Sequence, residues 1–326
     1  MKHSEQKHYI GVDICKAKLD LASPGHGLVK SLKNTPKGIG ELFKLLEPLS
    51  GTVHLVCEPT GGYEKLLLAA AFERGVAISM VNALRVRSFA VAQGRLAKTD
   101  EIDAGVIAEF GRIFQPHPAK RPCKRRLALS AVVRHREGLV RQLAREKTIL
   151  QKTTESFVKQ ELRASMGFLT RHIAKCEGRL DSLIRADDKL QAKRERIEQV
   201  KGVGSTTSTL MIAELPELGT LTNAQIASLV GVAPMNNDSG SRRGQRTIRA
   251  GRARVRRGLF MPALCAIRHN PILREFYQGL IARHKPAHVA LTAVMRKLVC
   301  LLNRLLADPE FKLHPDGCSH QVAEQS

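Results

Sequence analysis

The order of apolar runs in the first 120 residues sets the strongest limit on the fold of this 326-residue chain. Three short strand-like runs come first, and only turn-sized gaps separate them, which predicts an antiparallel meander. Helix-like and strand-like stretches then alternate, which favours an α/β domain with a mixed sheet flanked by helices. The strands are expected over 8–14, 18–23, 27–34, 52–58 and 76–82, and the helices over 37–48, 63–74, 84–92 and 100–114.

The next 80 residues predict two long helices. Apolar residues recur there at spacings of seven, four and three, which is typical of a coiled-coil seam, and we expect the chain to reverse near Met166 and Gly167. Two amphipathic helices packed on their own domain are the alternative. The seams comprise Val132, Leu139, Leu143, Leu150 and Phe157 in one helix and Ile173, Leu180, Leu183, Leu190 and Ile197 in the other.

From about residue 200 the sequence predicts a mostly helical domain, with long helices over 259–283 and 287–306. Its first segment has the pattern of a helix-hairpin-helix, in which the turn at Lys201, Gly202 and Gly204 presents backbone N–H groups to a phosphate. An ordinary helix ending in glycine explains the same pattern. We therefore divide the chain into domains 1–120, 121–200 and 201–326.

Positive charge is concentrated after residue 120. Lys and Arg number 53 against 30 Asp and Glu, a net charge of +23, of which only +4 belongs to the first 120 residues. Such a surplus is typical of a protein that binds a polyanion. Aromatic residues make up 4% of the chain and Trp is absent, which argues against binding dominated by base stacking.

Other features of the sequence indicate where the protein acts. No stretch is apolar enough for a membrane span, and the first residues lack the apolar region of a secretory signal. The seven cysteines form no Cys-x-x-Cys pair, so we expect reduced thiols and neither a disulfide framework nor a zinc site. We predict a cytoplasmic protein with no membrane partner.

Four acidic residues stand where a sheet and a helix could bring them together. Asp13 closes the first strand and Glu58 a later one, while Asp100 and Asp103 share one face at the start of a helix. Each has a simple structural explanation, as a turn residue or a favourable charge at a helix N-terminus. Together, they would repel one another without cations, and oxygen ligands alone select Mg²⁺ or Mn²⁺. Their order resembles that of the ribonuclease-H-like, RuvC-type nuclease fold.

A dense basic segment follows residue 238, where no acidic residue occurs before Glu275. Ser239 and Ser241 stand at its entrance, and a serine hydroxyl can attack a phosphodiester once it is activated. Ser before Gly is far more often a turn residue, and the basic run could be a solvated surface. Arginine favours bidentate phosphate contacts. The candidate nucleic-acid-binding arginines are Arg242, Arg243, Arg246, Arg249, Arg252, Arg254, Arg256 and Arg257.

These parts together resemble the DEDD transposases of the insertion-sequence 110 group and the related pilin-gene invertases. The resemblance covers nearly the whole chain in several ordered motifs. They are YIGVDICKAKLD, CEPTGGY, KTDEIDA, VKGVG, LVGVAP, DSGSRRG, RAGRARVRRGLFMPAL, RHNP and VMRKL.

The resemblance implies a function beyond what the spacing of residues indicates. Asp13, Glu58, Asp100 and Asp103 would hold the metal ions, and Ser239 would form a covalent phosphoserine link with DNA. The stretch after the DSGS motif, residues 238–241, is one residue shorter than in similar members of this group, which makes Ser241 the weaker candidate nucleophile. The resemblance also implies a dimer or tetramer in which one subunit's serine domain completes another's acidic site, and a structured noncoding bridge RNA that pairs with donor and target DNA.

Two other functions fit parts of the sequence. A structure-specific endonuclease would use the same four acids with water as the nucleophile. A non-catalytic RNA- or DNA-binding protein on a nuclease-like scaffold would explain the positive charge alone. The leading hypothesis is a DNA transposase or recombinase that acts in the cytoplasm at the nucleoid of a prokaryotic cell.

Overall fold

The chain forms two compact units, Met1–Arg121 and Pro122–Ser326. The structure is a computed structural model and describes residues 7–24, 28–49, 51–95, 100–236, 244 and 246–313. Within these residues, no helix is both long and apolar enough to cross a membrane.

The first unit is built on a five-stranded mixed sheet in the order β3-β2-β1-β4-β5. The meander β1-β2-β3 is antiparallel, and β1, β4 and β5 run parallel. This topology confirms the predicted ribonuclease-H-like α/β class. Its elements are β1 (Lys7–Ile14), β2 (Lys18–Ala22), β3 (Leu28–Lys33), α1 (Pro36–Leu46), β4 (Thr52–Cys57), α2 (Lys65–Glu73), β5 (Ala77–Met80), α3 (Ala83–Ala92) and α4 (Asp100–Phe114).

The two faces of this sheet pack against different helices. In β1, Ile10, Val12 and Ile14 face the core made with α1 and α2. Tyr9 belongs to the opposite core, made with α3 and α4, because successive side chains of a strand alternate between faces. Alternation therefore places Gly11 and Asp13 on the α4 face.

Helix α4 lies unusually close to β1. A Cβ atom at Gly11 would come within 2.2 Å of the Ala104 carbonyl oxygen and 2.4 Å of the Ala108 nitrogen. Further along the helix, Gly111 lies against Tyr9. The helix thus runs antiparallel to β1, and its N-terminus lies at the end of the strand where Asp13 stands.

The second unit is almost entirely helical, with one two-stranded ribbon among its described residues. Its elements are α5 (Lys124–Lys152), α6 (Ser156–Arg185), α7 (Asp188–Glu198), α8 (Ser205–Glu214), α9 (Asn223–Val230), β6 (Pro234–Met235), β7 (Thr247–Ile248), α10 (Ala253–Gly258), α11 (Phe260–His269), α12 (Pro271–Ala282) and α13 (Ala287–Ala307).

Helices α5 and α6 form an antiparallel hairpin. Arg136 near the start of α5 bonds to Glu177 near the end of α6, with a shortest distance of 2.6 Å. The predicted reversal at Met166 and Gly167 is wrong, because both lie inside α6. The chain turns at 153–155 instead, where the Glu155 side chain accepts a hydrogen bond from the Val158 N–H and begins α6.

The predicted seams pack in part against the C-terminal helices. Leu180 and Ile197 are buried in a core that extends to α13, and Val132, Leu183 and Leu190 pack against that core. Phe157, by contrast, is 66% exposed. This arrangement favours the alternative of amphipathic helices packed on their own domain. The coiled coil and the division into three domains stay predictions.

The single helix predicted over 259–283 is wrong in one respect. Asn270 and Pro271 divide it into α11 and α12, and the Asn270 side chain accepts a hydrogen bond from the Leu273 N–H. Proline disfavours a helical conformation at the residue before it, so α11 ends and α12 begins there.

The contact of α4 with β1 predicts that a side chain at Gly11 is strongly destabilising. Gly11→Val requires helix backbone to move, and we expect it to lower the local free energy of unfolding by about 2–3 kcal/mol. Hydrogen exchange of the β1 and α4 amides measures this loss. Gly105→Ala, in open space on α4, is the control and should leave protection equal or higher. Normal protection in Gly11→Val would contradict the close packing.

Candidate active site and nucleic-acid interface

Asp13 and Glu58 lie at the ends of neighbouring parallel strands, Asp13 one residue before the end of β1 and Glu58 directly after β4. Val12 of β1 is in register with Cys57 of β4, so the next residue along each strand is one of these two acids. Val56 belongs to the core on the α4 face, and alternation places Glu58 on that face beside Asp13. The structure therefore brings two of the predicted acids to the same edge of the same face.

The N-terminus of α4 contributes at the same place. Asp103 directly precedes Ala104, whose carbonyl oxygen lies over Gly11, two residues before Asp13. Asp103 is half-buried. Asp100 is the first residue of α4, and its side chain lies outside the described residues. Among the described side chains, no group of three or more His, Cys, Asp or Glu has the geometry of a formed metal site.

A loop held by side-chain hydrogen bonds follows Glu58. The Glu64 carboxylate accepts hydrogen bonds from the Thr60 N–H (3.0 Å), the Thr60 hydroxyl (3.1 Å) and the Gly62 N–H (2.9 Å). Burial acts to raise the pKa of Glu64, but these hydrogen bonds outweigh it and lower the pKa overall. Glu64 is therefore an ionised anchor for the loop and is not available as an acid.

A second contact joins this loop to the end of β1. The Asn34 side-chain amide donates to the Cys15 carbonyl (2.9 Å) and the Tyr63 carbonyl (3.1 Å). The backbone that carries Asp13 and the backbone that carries Glu58 are thus held together from outside the sheet. Burial raises the pKa of Cys57 to about 12, so its thiol is not a nucleophile beside these acids.

Sequence reasoning missed one acidic residue on this face. Asp20 of β2 is directly opposite Asp13 in the antiparallel register and is only 2% exposed. Leu19 and Leu21 on either side of it face the opposite core. An aspartate between two leucines of a predicted strand was the available signal, because Asp is depleted in strands.

The loop with the candidate nucleophile is closed by a tight backbone contact. Gly231 and Gly251 both have positive φ, and a Cβ at Gly251 would lie within 2.3 Å of the Gly231 nitrogen. Next to this contact, strands β6 and β7 pair with each other in an antiparallel ribbon. Ser239, Ser241, Arg242 and Arg243 lie outside the described residues, between β6 and β7.

Three of the predicted phosphate-binding arginines make internal contacts. Arg252 forms a bidentate ion pair with Glu217, in which its two terminal guanidinium nitrogens lie 2.6 and 2.7 Å from the two carboxylate oxygens. Burial acts to raise the pKa of Glu217, and the bonds from Arg252 outweigh it and lower the pKa. Arg254 pairs with Glu137 of α5, and Arg256 donates to backbone carbonyls at the loop base. These contacts anchor the loop to the helical core.

The other described arginines of the segment face solvent. Arg246, Arg249 and Arg257 are exposed, and their side chains make no hydrogen bond or ion pair with the described residues. A guanidinium without an internal partner keeps all its donors for a ligand. The phosphate-binding role therefore fits these three arginines best among those described.

The predicted helix-hairpin-helix corresponds to α7, a short turn and α8. Gly202 in the turn has a φ of 97°, and Lys201 is exposed. Gly204 is the N-cap of α8 and supplies no side-chain cap, so no capping side chain accepts from the backbone N–H groups of the first turn. An ordinary turn between two helices has the same form, so the phosphate-binding role of Lys201, Gly202 and Gly204 stays a prediction.

Two family models match most of the chain. A model of the DEDD transposases of IS110, described as transposase, matches residues 10–158. A second model, described as Transposase IS116/IS110/IS902 family, matches residues 194–278.

Individual proteins show the same relationship. The pilin gene-inverting proteins of Moraxella bovis and Moraxella lacunata are each 27% identical over 304 residues, which cover 90% of this chain and 94% of each relative. Among solved structures, Thermus thermophilus RuvC matches 34% of this chain and 99% of its own, with 18% identity and a TM-score of 0.27.

The chain is a DNA transposase or recombinase, an enzyme that rearranges DNA. It belongs to the IS110 family of transposases and is related to the pilin gene-inverting proteins.

The two groups of arginines predict two different mutant effects. Arg249→Ala and Arg257→Ala should each weaken DNA binding to a similar extent for all DNA sequences, without loss of stability. Each should also reduce the slope of the logarithm of the binding constant against the logarithm of salt concentration by about one. Arg252→Ala should instead destabilise the second unit by about 1–2 kcal/mol, since it leaves Glu217 unpaired. Binding titrations at several salt concentrations and thermal unfolding separate the effects. Lys44→Ala, an exposed charge in the first unit, is the control. Equal stability loss in all three arginine variants would contradict the assignment.

Proposed function

We propose that this transposase cleaves and exchanges DNA strands through a covalent phosphoserine intermediate at Ser239. The carrying observation is the convergence of Asp13, Glu58 and the N-terminus of α4 at one end of one sheet face. Acidic residues gathered there suit a phosphoryl-transfer site with divalent cations, while the basic loop that contains Ser239 suits the DNA backbone.

The donor set fits Mg²⁺ or Mn²⁺. Asp13, Glu58, Asp100 and Asp103 offer carboxylate oxygens only, which are the ligands that these hard cations prefer. The unpartnered, buried oxygen of Asp20 on the same face is a further sign that a cation is expected there. When bound, the cations would neutralise charge that develops on the attacking and leaving oxygens of a phosphodiester.

The chain's own residues would perform the exchange as follows. The Ser239 hydroxyl attacks the phosphorus, its proton leaves, and the bond between phosphorus and the leaving sugar oxygen breaks as that oxygen takes up a proton. Exposed Arg246, Arg249 and Arg257 hold neighbouring phosphates. Attack by the sugar hydroxyl of a second strand on the phosphoserine would then release Ser239 and join the new ends. The number of phosphodiester bonds is conserved, so no external energy source is needed.

Replacing Ser239 tests this mechanism. Ser239→Ala should reduce strand exchange by at least about 10³-fold and abolish the protein–DNA adduct on denaturing gels, because the attacking hydroxyl is gone. Ser241→Ala is the matched control and should form the adduct normally. Asp13→Asn should remove both activity and adduct. Undiminished DNA cleavage by Ser239→Ala without an adduct, and no cleavage by Asp13→Asn, would instead identify water as the nucleophile and the enzyme as an endonuclease.

We also propose that a structured noncoding RNA guides the enzyme to donor and target DNA. The net charge of +19 after residue 120 and the scarcity of aromatic residues suit a protein that binds backbones and leaves sequence readout to base pairing. A homo-oligomer, dimer or tetramer, would bring one subunit's serine loop to another's acids. Helix α6 of the α5-α6 hairpin carries exposed apolar side chains, among them Phe157 and Phe168, and these suit such an assembly.

The guide predicts that the protein copurifies with RNA transcribed from DNA next to its gene. Sequencing the bound nucleic acid should reveal one dominant structured species, and digesting it should abolish recombination, since the chain would then lack its sequence reader. Readdition of that RNA, but not of a scrambled one, should restore activity. Full activity of nuclease-treated protein would contradict the proposal.

A further inference from the structure

Asp20 has a position that the four-acid site does not explain. It lies on β2 directly opposite Asp13, and residues paired in this way project from the same face with Cβ atoms about 5 Å apart. That face is the one covered by α4. Across β2, β1 and β4 the sheet therefore presents Asp20, Asp13 and Glu58 in a row.

Two carboxylates directly opposite each other are unfavourable without positive charge between them. Lys18 supplies part of it, because its ammonium nitrogen lies 2.7 Å from Asp20 Oδ2. Lys18 itself is 43% exposed in its side chain, whereas that of Asp20 is 3% exposed. The ion pair thus satisfies one oxygen of a carboxylate that is otherwise removed from water.

The other oxygen, Asp20 Oδ1, is buried and has no hydrogen-bond partner among the described residues. A buried carboxylate oxygen without a donor is costly, and native proteins rarely leave one unexplained. The described residues therefore supply no partner for this oxygen. A cation placed toward Asp13 would supply it.

We propose that Asp20 is a fifth carboxylate of the metal site, with Oδ1 as an additional oxygen ligand on the β2 side of Asp13. This inference rests on the proposed metal-dependent function. A purely structural role for Asp20, as the ion-pair partner of Lys18, explains Oδ2 and leaves Oδ1 unexplained.

Metal binding without DNA tests the inference independently of activity. The full chain, freed of metal with a chelator, is titrated with Mn²⁺, and free Mn²⁺ is followed by electron paramagnetic resonance. Asp20→Asn keeps the size of the side chain and removes its charge, and we expect it to raise the Mn²⁺ Kd about tenfold. Glu41→Gln, an exposed acid of α1, is the control and should bind as the parent does.

Two further variants make each outcome decisive. Lys18→Met removes the competing ammonium, so Mn²⁺ affinity should stay equal or rise. If the Mn²⁺ affinity of Lys18→Met falls as far as that of Asp20→Asn, the ion pair alone matters and the inference is wrong. Where Asp20→Asn does not fold, a tenfold loss of Mn²⁺ affinity in Lys18→Met has the same meaning. Asp13→Asn should weaken Mn²⁺ binding strongly. If Asp13→Asn weakens Mn²⁺ binding but Asp20→Asn binds Mn²⁺ as the parent does, only the role of Asp20 is overturned. Parental affinity in both overturns the proposed metal site itself.

Discussion

The close approach of α4 to β1 is the contact on which the candidate active site depends. At Gly11 the backbones of strand and helix are so near that a Cβ atom would overlap the helix itself. This contact fixes the helix along β1 in the antiparallel direction, with its N-terminus at the end of the strand that carries Asp13. A single methyl group added at Gly11 would push α4 away from β1 and Asp103 away from the strand acids, because close-packed interiors do not absorb added volume.

The pairing of the strands brings together the acids that lie on the sheet itself. Parallel pairing of β1 with β4 brings Asp13 and Glu58 to one edge, and antiparallel pairing of β1 with β2 places Asp20 beside Asp13. Both pairings are needed, so the mixed sheet is a condition of the acidic row. In the second unit, the Gly231–Gly251 contact and the bonds of Arg252 and Arg256 have a similar purpose, since they hold both ends of the loop that contains Ser239.

Much of the fold was predictable because local pattern and fold agree. Helix α4 begins at Asp100 and ends at Phe114, as predicted, and the five strands of the first unit differ from their predicted bounds by no more than two residues. The short strands β6 and β7 were not predicted. The errors have local causes as well. Apolar spacing alone concealed the break before Ser156, where Glu155 caps a new helix, and the apolar face over 259–283 concealed the break at Pro271. Among the predicted site residues, the structure places Asp13, Glu58 and Asp103 at one end of the sheet face. It assigns Arg252, Arg254 and Arg256 to internal contacts.

The sequence by itself determined the mixed sheet, the helical second half, the family and the acids that end the strands. These follow from periodicity, charge and motif, which are properties of residues near one another in the chain. Only the tertiary structure decided which arginines remain exposed, and that Asp20 lies buried beside Asp13. Pairing register and ion-pair partners join residues far apart in sequence. Arg254 and Glu137, for example, are 117 positions apart. Their choice depends on the packing of whole helices and strands, which no local pattern specifies.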